Sequence, residues 1–176
     1  MSYFVALTLN DSIKNDICET IVRLRTQSLS GNFSSRSNLH ATLAFLGDNV
    51  DIEAVKAAMD AVDAKPFEIE VGGYGIFNKR TGNVHWTQIK PSSELDAMRA
   101  GLITALKDKG LKPDETEFKP HITLGREVVT IKTFNPATFS RSVPKNTQTV
   151  ADITLMQSEH INGKLTYTPV YVKTLG

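Results

Sequence analysis

Two segments of this 176-residue chain, His40-Ala41-Thr42-Leu43 and His121-Ile122-Thr123-Leu124, repeat one short pattern 81 residues apart. An internal repeat constrains a fold more than any composition figure, because both copies must build the same local structure and then pack together. The same offset carries the opening run Tyr3–Leu9 onto Val84–Lys90, and both read as strands rich in β-branched and aromatic residues. It also carries Gly82, in the turn Lys79–Asn83, onto Gly163 of Asn162-Gly163. An Asn-Gly pair between the strand-like runs Asp152–His160 and Lys164–Lys173 predicts a hairpin.

Each opening strand leads into a helix start. Asn10, Asp11 and Ser12 offer an N-cap before Ile13, Ile17, Ile21 and Leu24 at helical spacing, and Pro91-Ser92-Ser93 precedes Leu95, Met98, Leu102 and Leu106. Lys107 and Lys109 in the last turn, with Gly110 beyond, end the second of these helices. Polar connectors, Ser30–Asn38 in the first copy, then lead into the His-x-Thr strands. A further helix is predicted from Asp51 through Ile52, Val55, Met59 and Val62. Its counterpart around Phe134–Ser142 holds Pro136, is followed by Pro144, lacks a helical period and reads as loop.

The expected fold is therefore α+β and bilobal, with two pseudo-symmetric lobes, each a mostly antiparallel sheet backed by helices, and a cleft between them. Hairpin strands pass from one copy into the next and no Gly/Ser linker divides them, so residues 1–176 are expected to form a single domain. An apolar fraction of 40% supports a core. The balance of 20 Lys+Arg against 19 Asp+Glu argues against wrapping a long nucleic-acid duplex, since each neutralised phosphate needs a cation. One cysteine, Cys18, excludes an internal disulfide and multi-cysteine metal centres. With no basic leader before its short N-terminal apolar run and no spanning segment, the chain is expected to be cytoplasmic, without membrane contact, and monomeric.

Side chains two apart on a strand share a face. His40 and Thr42 thus project together, as do His121 and Thr123, with Ala41, Leu43, Ile122 and Leu124 anchoring the other side. Two imidazoles facing each other across a cleft suit displacement at phosphorus. One, neutral, takes a proton from the attacking water, and the other, protonated, gives one to the leaving oxygen; histidine's ordinary pKa of about 6.5 leaves both forms accessible. The threonine hydroxyls would hold phosphate oxygens, and Arg126 would balance developing charge. Strict alternation puts Arg126 on the wrong face unless Gly125 ends or bulges the strand. A lone His-x-Thr is ordinarily structural, but a repeat of it would require a buried histidine to find partners twice.

At these residues the chain resembles the two-histidine phosphoesterase superfamily, whose signature is a pair of H-x-[ST]-x motifs. Within it the likeness is to the RNA 2′,3′-cyclic phosphodiesterases, historically called 2′-5′ RNA ligases (LigT/ThpR). It extends over Phe4–Leu9, Asn38–Gly47, Val84-His85-Trp86, Pro120–Arg126 and Tyr167-Thr168-Pro169. The resemblance implies metal-independent opening of a 2′,3′-cyclic phosphate at an RNA or nucleotide end to a 2′-phosphate, with no cofactor. It implies His40 as proton donor to the 3′ oxygen, His121 as base toward water, and Thr42, Thr123 and Arg126 as phosphate ligands. Some members also join RNA ends weakly through a 2′-5′ bond. Gly125 departs from relatives that carry a larger apolar residue there.

Phe45 stands where Arg126 stands in the second copy; it either stacks on a base or packs in the core. Lys119, Lys79 and Arg80 either steer an RNA strand toward the cleft or are ordinary solvated surface charges, and Trp86 reads as packing. His85 and His160 match no short zinc-ligand spacing, so no metal site is expected. Cys18 lacks a neighbouring base in sequence. Competing readings are a hydrolase of small cyclic nucleotides or of an ADP-ribose cyclic phosphate, and a module that binds RNA ends without turnover.

Overall fold

The computed structural model describes residues 1–176. In chain order the elements are β1 (Ser2–Leu7), α1 (Asp11–Thr26), β2 (Ser28–Phe33), a 3₁₀ turn (Arg36–Asn38), β3 (Ala41–Gly47), α2 (Ile52–Asp60) and β4 (Phe67–Phe77). There follow β5 (Asn83–Ile89), α3 (Ser93–Asp108), β6 (His121–Thr130), α4 (Pro136–Ser142), β7 (Asn146–Val150), β8 (Asp152–Ile161) and β9 (Lys164–Thr174). Two antiparallel sheets result, ordered β3-β1-β8-β9 and β2-β6-β5-β4-β7, one per lobe. The α+β, two-lobed expectation holds.

The predicted helices form where their caps lie. Asn10 accepts from the Ile13 amide at 2.9 Å, Ser92 from Leu95 at 3.1 Å and Asp51 from Ala54 at 3.2 Å, each satisfying a donor that the first helical turn leaves free. Their apolar stripes, Ile13, Ile17, Ile21 and Leu24 on α1 and Leu95, Met98, Leu102 and Leu106 on α3, enter a 31-residue core shared by both sheets. The Asn162-Gly163 hairpin forms as predicted, with both residues left-handed at φ 53° and 77°, the two-residue turn that matches strand twist.

The sheets exchange strands between copies. β1 of the first copy pairs with β3 on one side and with β8, from the end of the second copy, on the other; β5 of the second copy pairs with β6 on one side and with β4, from the end of the first copy, on the other. α1 follows β1 in one sheet yet packs against β2, β6 and β7 of the other.

Three segments depart from the sequence reading. Ser30–Asn38, expected as connector, begins inside β2 and ends in the 3₁₀ turn. Ser-Leu-Ser-Gly-Asn-Phe has little strand propensity, and it is extended because it pairs with β6 far along the chain. Phe134–Ser142, expected as loop, carries α4: Pro136 sits in the first turn, where its missing N–H costs nothing, and Asn135 caps the Thr138 amide at 3.1 Å. With only Phe139 buried on a two-turn helix, no period could show. Polar β7 was not expected and forms on the edge of β4.

Candidate active site

A bulge at the same place in both His-x-Thr strands builds the site. From Trp86↔Thr123 to His85↔Gly125, β6 advances two residues while β5 advances one, so Leu124 is extra. From Ala6↔Thr42 to Val5↔Ala44, β3 does the same at Leu43. An extra residue reverses the alternation beyond it. Leu43 and Ala44 are consequently both buried, as are Leu124 and Gly125, while Phe45 and Arg126 turn outward with the histidines. The carbonyls at the bulges find donors: Arg99 Nε gives to Leu43 at 3.2 Å, and the Ser34 amide to Leu124 at 2.9 Å. Gly125 is required by close approach, since a Cβ there would lie 3.0 Å from Phe33 Cδ1 and 2.9 Å from Val128 Cγ2. Phe33 of β2 takes up the space beside this small residue.

Both histidines are oriented identically. His40 Nδ1–H donates to the Asn38 carbonyl at 2.7 Å and His121 Nδ1–H to the Lys119 carbonyl at 2.6 Å. A carbonyl only accepts, so the neutral tautomer carries its proton on Nδ1 and leaves Nε2 for chemistry. At His40 the Thr42 hydroxyl donates to Nε2 at 2.9 Å. Each ring is walled by two aromatics: His40 by Phe4 and Tyr167, at 4.8 and 5.1 Å between centroids, and His121 by Phe77 and Trp86, at 5.1 and 6.0 Å. Trp86 lies flat on Gly75, where a Cβ would overlap the indole, so it packs as expected.

Two cavities meet at Arg126. One, about 510 Å³, holds His40 with Thr123 and Tyr167; the other, about 600 Å³, holds His121 with Thr42 and Phe45. Each imidazole thus shares its cavity with the other motif's threonine. Burial pushes both imidazoles below histidine's ordinary pKa; their carbonyl bonds oppose this, and Arg126 adds to it. His121 lowers His40 further, and Lys79 lowers His121. Burial raises the Tyr167 phenol, against the pull of Arg126.

All six residues singled out at the motifs therefore line the two cavities, Phe45 with 46% of its surface exposed. Lys79 and Lys119 line the His121 side, with Lys119 paired to Glu117 at 3.8 Å, while Arg80 lines neither cavity. His160 lies at the rim of the His40 side. His85 lines neither cavity; it is buried against Phe134 and hydrogen-bonded to Tyr74. Cys18 packs partly against the core. Arg99, Asn38 and Tyr167 as a wall of His40 were not singled out as site residues. Arg99 and Asn38 act through carbonyls of residues distant in sequence or through backbone, which no local pattern reveals.

The 2′-5′ RNA ligase superfamily model matches residues 13–162. The RNA 2′,3′-cyclic phosphodiesterase of Thermotoga maritima is 28% identical over 132 residues, covering 72% of this chain and 70% of that protein. Its namesake from Methanothermobacter thermautotrophicus is 27% identical over 128 residues, covering 70% and 69%. The crystal structure of E. coli LigT complexed with 3′-AMP superposes with a TM-score of 0.77 at 25% identity, over 99% of this chain and 97% of that one. Since the matched span takes in both bulged His-x-Thr strands, and the likeness in structure runs from end to end, the chain belongs to the 2′-5′ RNA ligase superfamily.

Proposed function

We propose that the protein opens the 2′,3′-cyclic phosphate at an RNA end, leaving a 2′-phosphate, by acid–base catalysis between His40 and His121. The observation that carries this reading is the matched pair of imidazoles, each with Nδ1 bound to a carbonyl and Nε2 free of backbone, on either side of Arg126. Water attacks phosphorus and gives its proton to Nε2 of His121. The P–O3′ bond breaks, and O3′ takes the proton from Nε2 of His40, with the ester to O2′ intact. Thr42, Thr123 and Arg126 bind the non-bridging oxygens, on which charge grows. In the free protein Arg126 helps keep both rings neutral; the phosphodiester anion supplies the opposite charge and favours the imidazolium that the acid needs. The shared activity of the curated relatives supports the substrate class.

The His121 side supports a second outcome of the same chemistry. A water occupies about 30 Å³, yet that cavity is about 600 Å³ and holds the rings of Phe45, Phe77 and Phe118. A nucleotide 5′-hydroxyl in place of water would give a 2′-5′ bond.

The test is incubation with an oligoribonucleotide ending in a 2′,3′-cyclic phosphate, in the presence of EDTA, followed by product analysis. A 2′-phosphate end is expected. His40→Ala and His121→Ala should each slow turnover by about 10²–10⁴-fold. Near-normal rates in both variants would sink the assignment.

A further inference from the structure

In-line displacement puts entering and leaving oxygens on opposite sides of phosphorus. With His40 as the acid, O3′ and its ribose lie on the His40 side, and so do the nucleotides that continue from that ribose in the 5′ direction. The cavity on this side runs from Arg126 and Thr123 to His160, Gly163, Lys164 and Leu165. That far wall is the tip of the β8–β9 hairpin. β1 stops pairing at Ser2↔Ser158, whereas Glu159↔Thr166, His160↔Leu165 and Ile161↔Lys164 continue as a two-stranded ribbon beyond the sheet.

An isolated ribbon is marginal in water. This one is held by its left-handed Asn162-Gly163 turn and by Asn38, whose Nδ2 donates to the Leu165 carbonyl at 3.0 Å. The same Asn38 orients His40 through its own carbonyl, so the ribbon is registered to the acid. Toward the cavity its tip presents Leu165, 38% exposed, beside exposed Lys164 and His160. The carboxylate of Glu159 is engaged by Gln157 at 3.1 Å. Apolar surface beside a lysine ammonium suits a single strand, whose bases rest on the former and whose phosphates meet the latter.

We propose that the ribbon, residues 159–166, is the subsite for the nucleotides preceding the cyclic-phosphate end of an RNA strand. This rests on the acid role of His40 proposed above, and it makes the preferred substrate an oligonucleotide. Lys164 meets a backbone phosphate, and Leu165 carries a base upstream.

The test compares kcat/KM for a 2′,3′-cyclic mononucleotide and for an oligoribonucleotide with the same end, in the wild type and in the double variant Leu165→Ser/Lys164→Glu. Both changes are on the exposed tip, outside the catalytic machinery. The wild type should favour the oligonucleotide by about 10-fold or more, and the variant should lose about 5–20-fold on it while the mononucleotide rate stays within about twofold. Equal loss on both substrates, or a preference the variant retains because the strand runs over Lys79 instead, overturns the proposal. Fluorescence anisotropy with the 2′-phosphate-ended oligonucleotide gives an independent reading: unchanged affinity in the variant also overturns it. No turnover of either substrate would count against the proposed reaction, leaving the binding measurement to decide the ribbon.

Discussion

His40 and His121 titrate in the field of one guanidinium, and this ties their pH behaviour to Arg126. Both are pushed below about 6.5, by burial first and by Arg126 in the same direction. The profile of kcat/KM, which reports the free protein, is therefore expected to be a bell centred below pH ~6.5, with apparent values that belong to the pair. Arg126→Gln removes a charge that lowers both rings, so the bell should move to higher pH while the rate falls about 10²–10³-fold. A profile that stays put or moves lower would remove Arg126 from the site's electrostatics. At this scale much was legible: a period of two put each histidine beside its threonine, and the offset pointed to Phe45 and Arg126 as equivalents. Arg99 was invisible because its partner, the Leu43 carbonyl, is 56 residues away.

Whether Arg126 reaches the cleft is decided by an element, the bulge in β6. Gly125 has room for a hydrogen and little else, with Phe33 packed over it from β2. Gly125→Val is expected to cost about 1–3 kcal/mol by overpacking, read from the urea midpoint, and to reduce kcat/KM by displacing the turn into Arg126. Adding Phe33→Ala should recover part of both losses; a double variant no better than the single would show that Phe33 is not the obstacle. Gly125 marked the bulge in the sequence, but its depth depends on a β2 that no propensity predicts. α4 was hidden for a different reason: two turns with one buried residue carry no period, and only Asn135 and Pro136 signal the start.

Across the whole molecule, strand exchange makes each sheet a joint product of both copies. β1 pairs with β8, and β5 with β4. Residues 1–82 and 83–176, produced separately, are expected to lack cooperative urea unfolding and to regain it, with activity, on mixing. A cooperative transition in either half alone would mean two domains. The repeat, α1, α2 and α3 with their caps, the final hairpin and the two His/Thr faces were readable in the sequence, because each depends on residues within a few turns of one another or on a fixed offset. The strand β2, the exact partners of the bulged residues, the division of the cleft into two cavities and the ribbon over His40 belong to the tertiary structure. They are set by pairings such as Asn32↔Arg126 and Phe33↔Gly125, whose hydrogen bonds and packing exist only once distant segments have met.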